Sequence, residues 1–396
     1  MKKLIIIFLL LVTFNLVYSQ WEKCNNGMYE GDIHAFAISG SYIFAGTWGG
    51  GVFISTDEGN SWTPKNNGLT DMTIQSFAIS DVNIFVGTDG GGVFLSTDWG
   101  NSWTQKNNGL TDNDVQCLAI SGSNIFAGTD GGGVFLSTDM GNSWTPMNNG
   151  LTDTDVQWLA INGNNLFAGT YSGGVFLSTD MGNSWTPKNN GLTNISIRLL
   201  AISDGNIFVG TDGGGIFAST DMGDSWTPKN NGLTNNRLRS YAISGNYMFA
   251  GTKGGGVFLS TDMGDSWTPK NNGLTNNLVY ALAISGSNIF AGTFEGVFRA
   301  KLSDFENTSV ANDYSLSGNI LIFPNPAKDY IEINIGNVIL SEAKNLIKIC
   351  NTYGEYIVTV GARHALPLQR IDIRHLPAGL YIIQIGNYTG KFMVLR

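Results

Sequence analysis

The chain has 396 residues, of which 52 are Gly, about twice the usual share, while only 13% are charged. With 11% aromatic residues, this composition excludes a coiled coil, a long helical bundle and a disordered chain, and it points to a turn-rich β protein. A formal charge of −9, with no basic run after Lys3, excludes nucleic acid and anionic membrane as partners held by phosphate neutralisation.

Residues 1–19 read as a secretory signal peptide. Lys2 and Lys3 precede an apolar stretch from Leu4 to Val12, and Val17 and Ser19 stand at the minus-three and minus-one positions, so cleavage leaves Gln20 first. The stretch is shorter than the roughly 20 residues that span a bilayer, and no later segment is apolar for that long, so no transmembrane segment is predicted. Cys24 does not stand at the cleavage point, which argues against a lipid-anchored start. Cys24, Cys117 and Cys350 are an odd number at unrelated spacings, so neither a disulfide framework nor a CxxC metal site is written, and buried free thiols are expected.

Self-comparison then reveals a repeat. The string Ser-Thr-Asp-x-Gly-x-Ser-Trp begins at Ser55, Ser96, Ser137, Ser178, Ser219 and Ser260, always 41 residues apart. An apolar run ending in Gly-Thr places its glycine at Gly46, Gly87, Gly128, Gly169, Gly210, Gly251 and Gly292. Each unit reads as four short strands, in the second full unit about Gln75 to Ile79, Asn83 to Gly87, Gly92 to Ser96 and Ser102 to Lys106. Four strands per 40 to 45 residues is the signature of a propeller blade. An open solenoid, the alternative, needs capping repeats at both ends. Here the seventh copy instead stops after the strand Gly296 to Leu302, and Trp21-Glu-Lys-Cys-Asn-Asn-Gly27 aligns with Trp62-Thr-Pro-Lys-Asn-Asn-Gly68. The amino terminus thus carries the missing fourth strand, and pairing Trp21 to Cys24 with Gly296 to Leu302 closes a seven-bladed ring over residues 20–302, without open edges.

In the repeated box, Asp57, Asp98, Asp139, Asp180, Asp221 and Asp262 are expected to accept amide hydrogen bonds two residues on. The Gly at Gly59 and its equivalents takes a positive φ, and the Trp buries its ring between sheets. Repetition in every complete hairpin makes these carboxylates structural rather than catalytic or calcium-binding. The string resembles the Asp-box of sialidases and sortilin-like propellers, also called the bacterial neuraminidase repeat. The resemblance implies the fold over the whole propeller; it implies no activity, because in that superfamily the boxes lie away from the site and occur in many non-enzymes.

Sialidase-like chemistry needs an arginine cluster, a Tyr nucleophile with a Glu partner, and an acid-base Asp. The propeller offers only Arg198, Arg237, Arg239 and Arg299, and its glutamates Glu22, Glu30, Glu58 and Glu295 sit beside no Tyr in a matching context. His34, His364 and His375 give neither a Ser-His-Asp triad nor a histidine metal site, and Asp89-Gly-Gly-Gly92 lies between strands rather than before a helix. No catalytic residue, metal or cofactor is therefore assigned.

Residues that break the repeat are more informative. Strand alternation puts the links from strand two to three and from strand four to the next strand one on one face, with the boxes on the other. At the start of strand one a single register holds His34, Gln75, Gln116, Gln157, Arg198, Arg239 and Tyr280. After each Gly-Thr, a second register holds Trp48, Asp89, Asp130, Tyr171, Asp212, Lys253 and Phe294. Polar and aromatic groups converging on a concave face suit a small molecule or glycan. Against this stands a wet channel plug with decorated turns. The ligand-binding candidates are the whole first register together with Trp48, Tyr171, Lys253 and Phe294, and Arg198 with Arg239 is the sharpest pair.

Residues 303–318 read as a linker and 319–396 as a small β-sandwich. Its strands are predicted at Asn319 to Phe323, Tyr330 to Ile335, Ile347 to Cys350, Tyr356 to Val360, Gln369 to Ile373, Gly379 to Ile385 and Lys391 to Leu395. Phe323-Pro-Asn-Pro-Ala-Lys-Asp329, Leu376-Pro-Ala-Gly-Leu-Tyr-Ile382 and Lys391-Phe-Met-Val-Leu-Arg396 resemble, in order, the type A sorting domain of the type IX secretion system of Bacteroidetes. The resemblance implies passage through the outer membrane by engagement of that machinery, then surface attachment or release. Gly336 to Leu346 departs from it as an unusually long link.

These readings make the chain an all-β, secreted or surface-displayed, non-catalytic binding module. The expected ligand is an extracellular glycan or polymer; the alternative is a protein-binding adhesin or scaffold, and the third reading a divergent glycoside hydrolase or lyase.

Overall fold

The computed structural model describes residues 19–28, 31–203, 205–245 and 247–305, and, nearer the C-terminus, 321–323, 330–334, 346–351, 356–361, 368–385 and 388–394. The predicted signal peptide up to residue 18, most of the linker, and the long link before Leu346 lie outside the described residues. The chain forms two compact units, divided between Glu306 and Asn307.

The first unit is a ring of seven four-stranded antiparallel sheets. Blade 1 consists of Ile33–Ser39, Tyr42–Thr47, Gly51–Ser55 and Thr63–Pro64, and this order repeats through blade 6. Blade 7 takes Val279–Ser285, Asn288–Thr293 and Gly296–Lys301 and borrows Glu22–Lys23, with Glu22 opposite Arg299 and Lys23 opposite Phe298. The ring is closed by the amino-terminal strand, as the aligned Trp21 and Trp62 segments require. Fourth strands are shorter than expected: Thr104–Gln105 replaces the predicted Ser102 to Lys106. The Ser102 amide goes to Asp98 and the Trp103 amide to Asn67 O of the preceding blade, so neither joins the ladder.

In blade 1, strand two is buried beyond its first residue (Tyr42–Thr47) and strand three along its whole length (Gly51–Ser55), because each blade is covered on both faces by its neighbours. Phe44, Phe85, Phe126, Phe167, Phe208, Phe249 and Phe290, one per blade, are each at most 2% exposed. Burying each is worth about 1.5–3 kcal/mol. The Gly of Gly-Thr is a contact requirement: a Cβ at Gly87 would lie 2.6 Å from Val115 of the next blade, and one at Gly292 would lie 2.8 Å from Ile33, across the closure.

Each box is a closed hydrogen-bond cycle. In blade 1, Ser55 Oγ donates to Asp57 Oδ1 (2.8 Å) and accepts from the Gly59 amide (2.8 Å). Asp57 then accepts from the Ser61 amide (2.9 Å) and Ser61 Oγ (2.6 Å). The amide that reaches Asp57 thus comes from four residues on, not two. Two successive residues take positive φ, Glu58 at 58° and Gly59 at 83°, and the first of these gave no sign in the sequence. Hydrogen bonds from Ser102 and Ser143 hold Asp98 and Asp139 down at about 2.

The box Trp stitches blades together. Trp103 Nε1 donates to Lys65 O of the preceding blade, Trp62 Nε1 to Cys24 O across the closure, and Trp21 Nε1 to Lys270 O. Past Leu302 a short turn, Leu302–Asp304, leads to Phe305, which is 3% exposed and packs on Trp21 and Phe249. This ring covers the closing Trp.

In the second unit, Leu321–Phe323, Tyr330–Asn334 and Leu368–Asp372 form one antiparallel sheet. Leu346–Asn351, Tyr356–Gly361, Gly379–Ile385 and Tyr388–Val394 form another. Ile349, Ile371, Ile373, Leu376, Tyr381, Ile383 and Val394 are buried.

Candidate functional site

Strand one of each blade contacts strand one of both neighbours all round the ring, including Ile33–Ser39 against Val279–Ser285, so these strands line the axis. Each carries a register break at its second residue: between Ile33 and Ala35, Ile74 and Ser76, Val115 and Cys117, Val156 and Trp158, Ile197 and Leu199, Leu238 and Ser240, and Val279 and Ala281. The extra residue at each break is His34, Gln75, Gln116, Gln157, Arg198, Arg239 or Tyr280, the complete first register. A bulge frees its residue from the ladder and re-aims the side chain. All seven are half-buried. The two kinds of link share this end, since the Gly49 and Gly51 amides both donate to Met72 O, just before blade 2.

The face divides into three arcs. On blades 5 and 6, Asp212 is the hub: Arg237 Nε donates to its Oδ1 (2.8 Å), while Arg198 and Arg239 bring Nη2 to 3.5 and 3.6 Å from its Oδ2. Burial raises the pKa of Asp212, but Arg237, Arg239 and Arg198 outweigh it and leave the carboxyl below its ordinary value. Three guanidinium groups around one carboxylate leave the arc cationic. Arg198 also donates to Gln157 Oε1 (2.6 Å) and lies 4.6 Å over the Tyr171 ring. The buried Nε atoms of Arg198 and Arg239 have no protein partner, an arrangement that water or a ligand normally completes.

On blades 2 to 4 the arc is acidic. Asp89 bridges Asp114, and Asp130 bridges Asp155, across adjoining blades. Burial, then the hydrogen bond and charge of Asp89, push Asp114 up to about 7. Burial and Asp130, opposed by the hydrogen bond from Gln157, push Asp155 up to about 6. Gln116 Nε2 donates to Asp114 (2.7 Å).

Blades 7 and 1 form an aromatic arc. His34 stacks on Tyr280 at 4.7 Å and lies 5.1 Å from Trp48. Burial lowers its pKa, only partly opposed by Asp32, so the ring is neutral at pH 7. Trp48, Tyr171 and Phe294 are 47, 48 and 54% exposed, whereas Lys253 is half-buried and bridged to Leu278.

Asp32, Asp114, Asp155, Arg237 and the 36%-exposed Trp158 also belong to this face. The first four fall in a third variable register at the same spacing, two residues before each bulge, and that spacing is the signal that reveals them. Arg299, grouped by sequence with the other arginines, is instead at the closure, donating to Glu22 and to the carbonyl of Glu58. Cys24 and Cys117 are buried free thiols; burial pushes Cys24 up to about 12. Among the described residues no three His, Cys, Asp or Glu side chains are grouped to hold a metal, and no helix is long and apolar enough to cross a membrane.

Residues 321–394 match the secretion system C-terminal sorting domain, and residues 123–236 match the DUF6242 β-propeller domain. No curated protein matches the sequence. Among solved structures, YCF48 bound to D1 peptide is 16% identical with a TM-score of 0.59, over 72% of this chain and 98% of that one. The GH74 enzyme of Niastella koreensis is 22% identical (TM-score 0.53), over 68% of this chain and 43% of that one. PorZ, a surface component of the type IX secretion system of Porphyromonas gingivalis, is 15% identical (TM-score 0.54), over 94% of this chain and 60% of that one. At these identities the likeness is one of fold. The chain is thus a seven-bladed β-propeller protein with a type IX secretion C-terminal sorting domain at residues 321–394, exported to the medium or to the outer surface.

Proposed function

We propose that the axial face is a non-catalytic binding surface for an extracellular glycan or polymer. The observation that carries this is the arginine arc: Arg198 and Arg239 converge on Asp212 beside Tyr171, with buried Nε donors that no protein atom accepts. Half-buried guanidinium groups supply directed donors to hydroxyl or carboxylate oxygens, and exposed Trp48, Tyr171 and Phe294 supply flat apolar surface. Residues 1–19 are removed on export, and the sorting domain engages the secretion machinery.

The test is an array of sialosides and polysaccharides probed with the full chain and with an Arg198→Ala, Arg239→Ala variant. Retained binding in the variant, or none in the native chain, overturns the reading for the ligands displayed. A protein partner is the second reading, favoured by Trp48 and Phe294 standing exposed in adjacent blades across the closure; it predicts sensitivity to Trp48→Ala and Phe294→Ala without glycan binding. The paired carboxyls Asp89–Asp114 and Asp130–Asp155 favour a hydrolase as third reading, and release of reducing sugar would establish it.

A further inference from the structure

At the opposite end of the propeller the box turns are nearly uniform, and the seam between blades 1 and 2 departs from the repeat in both of its contacting residues. The box residue before Gly is Glu58, Trp99, Met140, Met181, Met222 and Met263 in blades 1 to 6, and strand two opens with Tyr42, Asn83, Asn124, Asn165, Asn206, Tyr247 and Asn288 in blades 1 to 7. The two positions meet across blade seams. Asn288 donates to Glu58 between blades 7 and 1, whereas Tyr42 and Trp99 stack between blades 1 and 2, with ring centroids 4.7 Å apart and planes at 29°. Two independent departures from the repeat thus fall in one place. Trp99 occupies a left-handed position at φ 61°, where a bulky side chain is uncommon and strained. Methionine fills the same conformation in four other blades, so the fold has no need of tryptophan there.

A cavity of about 340 Å³ opens at this seam, its walls including Tyr42, Trp99, Thr56, Ser61, Lys65 and Asn101. That volume is at the lower end of the roughly 300–1,000 Å³ typical of small-ligand sites. No carboxylate lines it, and its single cation, Lys65, donates to Asn101 Oδ1. Ser61 gives its proton to Asp57 and keeps its lone pairs as acceptors. The wall therefore pairs a fixed aromatic surface with hydroxyl and amide groups and one cation, Lys65, whose ammonium is turned onto Asn101. We propose that the seam between blades 1 and 2 is a second carbohydrate subsite, taking a neutral hexopyranose unit of a polysaccharide, independent of the axial face. The C–H face of the sugar packs on the Tyr42–Trp99 pair, and its hydroxyls meet Thr56, Ser61 and Asn101.

The test uses substitutions the protein itself supplies. Trp99→Met and Tyr42→Asn install the residues found at the same positions in other blades, and both chains are expected to fold with native circular dichroism. Full-length native and variant chains are titrated calorimetrically with cellohexaose and with mannohexaose, and Trp fluorescence is followed in parallel. At least one hexaose binds the native chain, and each of these two variants weakens it about tenfold or more. Absence of binding to both hexaoses, or equal affinity in Trp99→Met, overturns the proposal. Loss confined to the arginine variant overturns it as well and leaves the axial reading standing.

Discussion

The two ends of the propeller are built from the same backbone and put to opposite use. At the box end, six near-identical turns satisfy their own hydrogen bonds, and each Trp ties its blade to the one before. At the axial end, seven bulges present seven side chains of four kinds, several with buried polar atoms that lack a protein partner. Repetition marks the residues that every blade needs for folding. Variation at a fixed structural position marks where the fold is indifferent to side-chain identity and binding is free to set it.

The sharpest way to break this contrast is at the closure. Trp21 is 1% exposed and bridges the amino-terminal strand to blade 6 and Phe305, so Trp21→Ala is expected to cost about 3–5 kcal/mol, read by denaturant unfolding. A loss under 1 kcal/mol would mean that the ring does not depend on its last clamp. The axial pair behaves in reverse: Arg198→Ala, Arg239→Ala lowers affinity for an array-identified glycan at least tenfold, about 1.4 kcal/mol, with the unfolding midpoint nearly unchanged. A single box sharpens the structural side. Ser137 is 1% exposed and links Asp139 to the Gly141 amide, so Ser137→Ala is expected to cost about 1 kcal/mol and leave binding intact.

The smallest expected effect is on pH dependence, where the two ends have opposite signs. Asp98, Asp139 and Asp221 titrate in the fold at about 2, below the unfolded value near 3.9. Their contribution is present above pH 4 and is lost as pH falls toward 2. Asp114 and Asp155, raised to about 7 and about 6, hold protons in the fold that the unfolded chain releases. Their contribution is present below pH 4 and is lost as pH rises toward 7. Guanidinium midpoints across pH check this: Asp114→Asn, Asp155→Asn raises the midpoint at pH 8 relative to the native chain more than at pH 4, and equal shifts would refute the sign.

Much of the fold was legible because repetition makes a weak local signal cumulative. The 41-residue spacing, the spare strand at Trp21 and the truncated seventh copy together require a closed ring of seven. The candidate face was legible only as registers. His34 through Tyr280 are spaced regularly, but nothing in a single blade announces the bulge that turns each of them out of the ladder.

Local sequence determined what chain-neighbour chemistry decides: the turn formed by Ser55, Asp57 and Gly59, the glycine at each blade contact, and the alternation of faces. Tertiary structure alone decided which blades' residues meet. Arg198, Arg237 and Arg239 come from adjacent blades and surround Asp212, whereas Arg299, equally an arginine in sequence, locks the closure. The physical reason is that ring closure converts a linear spacing into an angle about one axis. Charge, proton affinity and stacking depend on the distances so created, and no stretch of sequence encodes those distances locally.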